Sequence, residues 1–158
     1  MKKIVISSLG FMVVSVIILV AGDNTLSYPK NYKEWKHIKT MIIKPKHPMA
    51  DVFHGIHHIY ANDKAYEGYK VGKFEDGSII ALDFLNYADR NETIYETSRI
   101  YVAIMKKDSK MYSKSYGWGY EAFKGDTTER MVVDVNKMCV KCHESQAQNN
   151  YIFSKIRK

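Results

Sequence analysis

Phe74-Glu75-Asp76-Gly77-Ser78, followed at once by Ile79-Ile80-Ala81-Leu82-Asp83-Phe84-Leu85-Asn86-Tyr87, decides how this chain folds. Asp-Gly is a strong turn signal, because glycine accepts a positive φ without steric cost. The run after the turn alternates with a period of two. Ile80, Leu82 and Phe84 face one way, and Ile79, Ala81, Asp83 and Leu85 the other. Downstream, Asp89-Arg90-Asn91-Glu92 is a polar hairpin tip. Ile94 to Met105 is the next strand, with Arg99 embedded in it, and Lys106 to Lys110 is a charged exit. Gly117-Trp118-Gly119-Tyr120-Glu121-Ala122-Phe123 is a further, aromatic strand.

Upstream of the turn, Ile38 to Lys44 carries a β-rich core (Thr40, Ile42, Ile43) that Pro45 stops. Asp51 to Tyr60 reads as a strand, with Phe53, Gly55, His57 and Ile59 on one face and His54, Ile56, His58 and Tyr60 on the other. Asn62 or Asp63 caps a helix through Ala65, Tyr66 and Tyr69, closed by Gly72. Near the start, Pro29 suits the first turn of a short helix that sets Tyr32 and Trp35 on one face. Near the end, Asp126-Thr127-Thr128-Glu129 predicts the start of a last helix running to Cys139. The fold class is α+β, a mostly antiparallel sheet of about five strands with short helices.

Composition agrees with one folded domain. The chain has 158 residues, 46% of them hydrophobic and 13% aromatic, enough for a core and too apolar for disorder. Twelve tyrosines suit sheet surfaces and pocket walls, where the ring is buried and the hydroxyl finds a partner. The formal charge is +7, but the lysines are scattered and no nucleic-acid motif accompanies them. They read as a solvated surface, with a docking patch for an acidic redox partner as the alternative.

Residues 1–22 read as an export signal. Lys2 and Lys3 form a basic n-region, Ile4 to Val20 is uncharged, and Ala21-Gly22 supplies small residues for cleavage. The uncharged stretch is long enough that an uncleaved membrane anchor stays open. Residues 23–158 form the mature domain, and its expected location is the periplasm.

The only two cysteines lie in Cys139-Val140-Lys141-Cys142-His143. C-x-x-C-H is the attachment pattern of c-type haem. Two thiols three residues apart each add to one vinyl of the same porphyrin, and the histidine that follows lies under the iron as proximal ligand. A redox dithiol needs no adjoining histidine. Structural zinc needs four ligands, and there is no second cysteine pair. The expectation is one covalent haem c, held by Cys139 and Cys142 and ligated by His143. C-type haem is attached outside the cytoplasm, which agrees with the export signal. No methionine follows His143. Small electron-transfer cytochromes have an axial methionine downstream, so the simpler reading is an open iron face. An upstream methionine, Met105 or Met111, would instead make an electron-transfer cytochrome.

Together these motifs resemble the cytochrome P-460 family, including its β-sheet cytochrome c′ branch. The resemblance runs from about Tyr28 to Phe153. It is carried by Tyr28-Pro29 with Asn31-Tyr32 and Trp35, by Ile56-His57-His58-Ile59-Tyr60, and by Gly72-Lys73-Phe74 with Asp76-Gly77-Ser78. Val102-Ala103 with Lys107-Asp108-Ser109, Gly117-Trp118-Gly119-Tyr120 and the late C-x-x-C-H complete it. The resemblance implies an antiparallel sheet with helices, a periplasmic homodimer and one covalent haem. Some members cross-link a lysine to the porphyrin edge and oxidise hydroxylamine or nitric oxide. Others lack the cross-link and bind nitric oxide or carbon monoxide under an apolar cap. Counted from Asp76-Gly77, the cross-linking position is Leu82, and a one-residue slip gives Ala81 or Asp83, so no register supplies a lysine. The chain therefore leans to the gas-binding branch. Leu82 becomes a candidate distal residue, and Phe53, on the neighbouring strand, a second. Whether the protein is an oxidoreductase stays open.

His57, on the face of Phe53, is a candidate for the haem pocket. His54 and His58 share a face but lie ~13 Å apart on a strand, too far for one ion. Arg99 is expected to pair with a carboxylate or a haem propionate. Asp83 and Glu121 are carboxylates that could relay protons in an enzyme.

Overall fold

The alternation after Asp76-Gly77 is realised as a long strand, β3 (Ile79–Arg90), in the computed structural model, which describes residues 26–157. The segment read as an export signal lies outside the described residues. β3 pairs with β2 (Gly55–Ala61) on one side and β4 (Thr93–Lys107) on the other. β1 (Lys36–Ile43) and β5 (Trp118–Lys124) form the edges, so one antiparallel sheet runs in the order β1-β2-β3-β4-β5. The β3–β4 turn is the polar tip expected from sequence. Asn91 and Glu92 both take positive φ, 52° and 60°, the two-residue geometry whose twist matches its flanking strands.

Opposed residues in this ladder share a face. Ile59, Leu82 and Ala103 lie opposite one another across β2, β3 and β4, and Ala103 lies opposite Ala122 on β5. Ile80, Met105 and Tyr120 form the next row. That face packs Ile38, Ile59, Ile80, Met105 and Trp118 against α2 (Asp63–Val71) and the C-terminal Ile152. The opposite face packs Ala81, Val102, Ile104 and Phe123 under the N-terminal segment through Leu26 and Tyr32. Tyr32 lies in a single 3₁₀ turn (Tyr32–Glu34), shorter than the helix expected from Pro29, and its ring is buried.

α2 follows its sequence signals. Asn62 Oδ1 accepts from the Ala65 and Ile79 amides at 2.9 and 3.0 Å, and Asn62 Nδ2 donates to the Gly77 carbonyl at 2.9 Å. One side chain therefore caps the helix and ties it to the Asp-Gly turn and to the start of β3. Gly72, at φ 74°, closes the helix in the left-handed conformation that favours glycine.

Two expectations fail. Asp51 to Tyr60 is not one strand. Ala50–Phe53 forms a single helical turn, α1, and β2 begins only at Gly55. The break falls at Gly55, whose φ is 151° and where a Cβ would lie 2.5 Å from both the Leu85 carbonyl and the Phe84 ring. Phe53 is thus the end of a helical turn, not a strand residue on the same face as His57. The last helix does not start at Asp126 either. Residues 129–132 run beside β5, with Arg130 bridged to Phe123 and the Met131 amide bonded to the Ala122 carbonyl at 2.9 Å. Val132, Val133 and Val135 resist helix by their branched side chains. The cap is instead Asp134, whose Oδ1 accepts from the Asn136 and Lys137 amides at 3.1 Å each.

Candidate haem-attachment site

The helical run 136–149 carries the C-x-x-C-H motif. It opens as a π-helical turn (Asn136–Val140), passes through α3 (Lys141–His143) and ends as a 3₁₀ stretch (Glu144–Asn149). π turns are rare and gather at functional sites. Here the wide turn holds Cys139, half-buried, and the next holds Cys142, exposed. The Cys139 thiol is pushed up to about 11, chiefly by burial and next by the Glu121 carboxylate. Such a thiol is poor as a thiolate, which weighs against a redox dithiol.

His143 decides the character of the site. Its Nδ1 lies 2.6 Å from the Tyr151 carbonyl oxygen. A carbonyl only accepts, so Nδ1 carries the proton and Nε2 is left with a free lone pair. That tautomer is the one in which a histidine binds metal through Nε2 while its other nitrogen is oriented by a partner. Burial holds the imidazole below its ordinary pKa, which keeps it neutral. The ring lies against Tyr120 of β5 at 4.8 Å and meets the edge of Phe153 at 5.1 Å. Phe153 itself stays 51% exposed, although it touches a half-buried imidazole. A flat apolar group beside His143 would cover it.

A Cytochrome P460 family model matches residues 29–154, most of the chain. The chain belongs to the cytochrome P-460 family. Members of this family are haem-binding cytochromes, and so is this protein. No curated protein matches the chain.

The residues present fit the haem of a cytochrome P-460. A paired set of thiols and a histidine locked in the Nε2-ligating tautomer lie together on one short helical run, with the uncovered Phe153 ring against the histidine. Tyr120 links this run to the sheet face that carries Leu82. Leu82 is half-buried there, packed against the core of that face, with Ala103 opposite it and Ala122 beyond. No lysine stands at Leu82 or at its partners on β4 and β5; the row's lysine is Lys39, opposite Ile59 on the edge strand β1, two strands from Leu82.

The other two distal candidates lie further along the sheet. His57 is buried in the row of Phe84 and Tyr101. Its ring stacks edge-on against Phe84 at 4.4 Å, and Phe84 against Tyr101 at 4.8 Å. Burial pushes the Tyr101 hydroxyl up to about 12. Phe53 packs on His57 at 6.1 Å, and the Phe53 carbonyl takes a 2.8 Å hydrogen bond from His57 Nε2. His57 thus closes the α1 turn, and burial lowers its pKa so that it stays neutral.

The three histidines of the 54–58 stretch go to three different partners. His54 Nε2 meets the Tyr87 hydroxyl at 3.2 Å, and His58 Nε2 meets Glu96 at 3.0 Å. Among the described residues, no cluster of three or more histidine, cysteine or acidic side chains could hold a metal ion. Arg99 pairs with a carboxylate, as expected, and not with the haem side. Its Nε and Nη2 donate to Asp83 at 2.6 and 3.1 Å, and Nη1 also reaches Asp126. Asp83 lies on the opposite face from Leu82. Glu121 accepts from Arg130 at 2.7 Å and from two backbone amides. Both carboxylates are bound up in structure, which removes them as free proton relays. Met111 is exposed, and it lines a cavity of about 400 Å³ beneath Leu26 and Tyr28 on the opposite face. Met105 is on the correct face but buried in the core with Ile80 and Trp118.

What sequence reasoning missed is Tyr151. No motif marks it, because its contribution to His143 is a backbone carbonyl, and a carbonyl has no residue signature.

Proposed function

We propose that the protein is an exported, periplasmic cytochrome with one covalent haem c that binds small neutral gases, nitric oxide or carbon monoxide. Residues 1–22 act as the export signal and residues 23–158 as the haem domain. Cys139 and Cys142 would hold the porphyrin through thioethers, and His143 Nε2 would ligate the iron. The bound haem supplies an open coordination position. The observation that carries the reading is the apolar row of Ile59, Leu82, Ala103 and Ala122 on the face that Tyr120 shares with His143.

An apolar wall offers no donor to a charged ligand and no penalty to a neutral diatomic. The β3 position itself, Leu82, lacks the amine that a lysine–porphyrin bond requires, and the row's lysine, Lys39, stands two strands away on β1. Leu82, and Phe53 with His57 further along, would shape access to the iron. The role that follows is buffering or removal of nitric oxide, by a homodimer that a redox partner keeps reduced.

The attachment claim is tested by intact mass under denaturing conditions. The mature chain should carry the mass of one haem, and Cys139→Ala with Cys142→Ala should lose it. A chain that releases its haem on denaturation contradicts the claim.

A further inference from the structure

The carbonyl that accepts from His143 is held in an uncommon way. Asn150 and Tyr151 take positive φ in succession, 54° and 64°. Neither is glycine, and such conformations persist only where surroundings over-determine them. The surroundings are visible. The Tyr151 ring stacks on Tyr116 at 4.5 Å, with planes 9° apart. Tyr116 is itself left-handed, at φ 59°. Its hydroxyl donates to Glu144 Oε1 at 2.7 Å, and its carbonyl takes a 2.8 Å hydrogen bond from Lys107 Nζ. Asn150 Nδ2 donates to the Gly72 carbonyl at 2.9 Å, and the Tyr151 amide to Gln146 at 2.8 Å.

These contacts close a loop. Glu144 follows His143 in the chain and is bonded to Tyr116. Tyr116 stacks on Tyr151, and Tyr151 returns to His143 through its carbonyl. The clamp is anchored to β4 through Lys107 and to the end of α2 through Gly72.

We infer that Tyr116 is a positioning residue for the proximal histidine, acting with Glu144 through the stacked Tyr151 to fix the short bond from His143 Nδ1 to the Tyr151 carbonyl. The inference rests on His143 being the iron ligand. A firm Nδ1–H···O bond raises the basicity of the ligating nitrogen. A more basic ligand strengthens the iron–histidine bond and favours ferric over ferrous iron, so the potential falls. Tyr116 thereby sets a property of the iron without touching it.

The test uses the full holoprotein and the variants Tyr116→Phe, Tyr116→Ala and Glu144→Gln. The readouts are the iron–histidine stretching band of the ferrous protein by resonance Raman and the midpoint potential. Tyr116→Ala should lower the band frequency and raise the potential, by several-fold in the oxidised-to-reduced ratio. Tyr116→Phe keeps the stack and loses the hydroxyl, and should shift both less, in the same direction, as should Glu144→Gln. Tyr116→Phe and Glu144→Gln change no packed volume, so they remain informative if Tyr116→Ala does not fold. An unchanged band and potential in the folded variants overturns the clamp. A wild-type protein without an iron–histidine band overturns instead the assignment of His143, which separates the two failures.

Discussion

Substituting Asp83→Asn removes one charge from the most buried ion pair of the sheet. Asp83 is 3% exposed, and its carboxylate accepts from Arg99 Nε at 2.6 Å, Arg99 Nη2 at 3.1 Å and the Tyr32 hydroxyl at 2.8 Å. The Arg99 side chain is itself 9% exposed. Removing one partner of such a pair costs roughly 3–5 kcal/mol, because the remaining charge stays buried. Two features set the low end. Asp126 still faces Arg99, and the asparagine carbonyl still accepts from Tyr32. The expected loss is about 3 kcal/mol. Unfolding entropy near 60 °C is about 2.1 cal/mol/K per residue, so a domain of roughly 130 ordered residues should lose about 11 °C in Tm. The assay is thermal unfolding of the holoprotein followed by circular dichroism. Asp83 lies on the face away from His143, so the optical spectrum of the haem should not change. A Tm drop under about 4 °C would mean that the buried pair contributes little, and a shifted haem spectrum that it lies near the haem. The spectral result would return Arg99 to the neighbourhood of the porphyrin. Replacing both partners, Asp83→Leu with Arg99→Met, should recover only part of the loss: no charge is then stranded, but the buried Tyr32 hydroxyl loses its acceptor.

Asn62→Ala should cost about 2–3 kcal/mol, since it removes a helix cap and two further hydrogen bonds at once; the midpoint of urea unfolding reads this directly. Burial holds His57 below its ordinary pKa of 6.5, so in the window just under 6.5 the unfolded chain binds more protons than the folded one. Stability should therefore fall as pH drops through that window, and His57→Gln, which keeps a donor for the Phe53 carbonyl, should flatten the fall. His37 is shifted in the same direction, so the slope should shrink without vanishing in urea titrations at stepped pH. Leu82→Ala should cost about 1.5 kcal/mol, as suits a half-buried leucine, and should speed carbon monoxide association several-fold by stopped flow. A spectrum and rate identical to wild type would remove Leu82 from the pocket wall.

Elements governed by local chemistry were legible in the sequence. The alternation of β3, the Asn62 cap, the Gly72 stop and the polar β3–β4 tip each depend on a few adjacent residues, and each stands where expected. Arg99 was legible as an ion-pair residue because a strand guanidinium needs a partner. The failures share one cause, competition from contacts distant in sequence. Asp51 to Tyr60 has a plausible alternation, yet Phe84 and Leu85 press against Gly55 and turn the chain there. Asp126 looks like a helix cap, but it is drawn to Arg99, and residues 129–132 prefer the free edge of β5. The cysteines and His143 stand out from their spacing as candidates for haem attachment. The tautomer of His143 was not, because it depends on a carbonyl held by a left-handed tyrosine eight residues away.

The optical spectrum of the mature holoprotein, dithionite-reduced and then exposed to carbon monoxide, tests the central claim most directly. The expected spectrum is that of a five-coordinate ferrous haem c that takes up carbon monoxide, with no sign of a lysine–porphyrin bond. A six-coordinate ferrous spectrum that carbon monoxide leaves unchanged would contradict it.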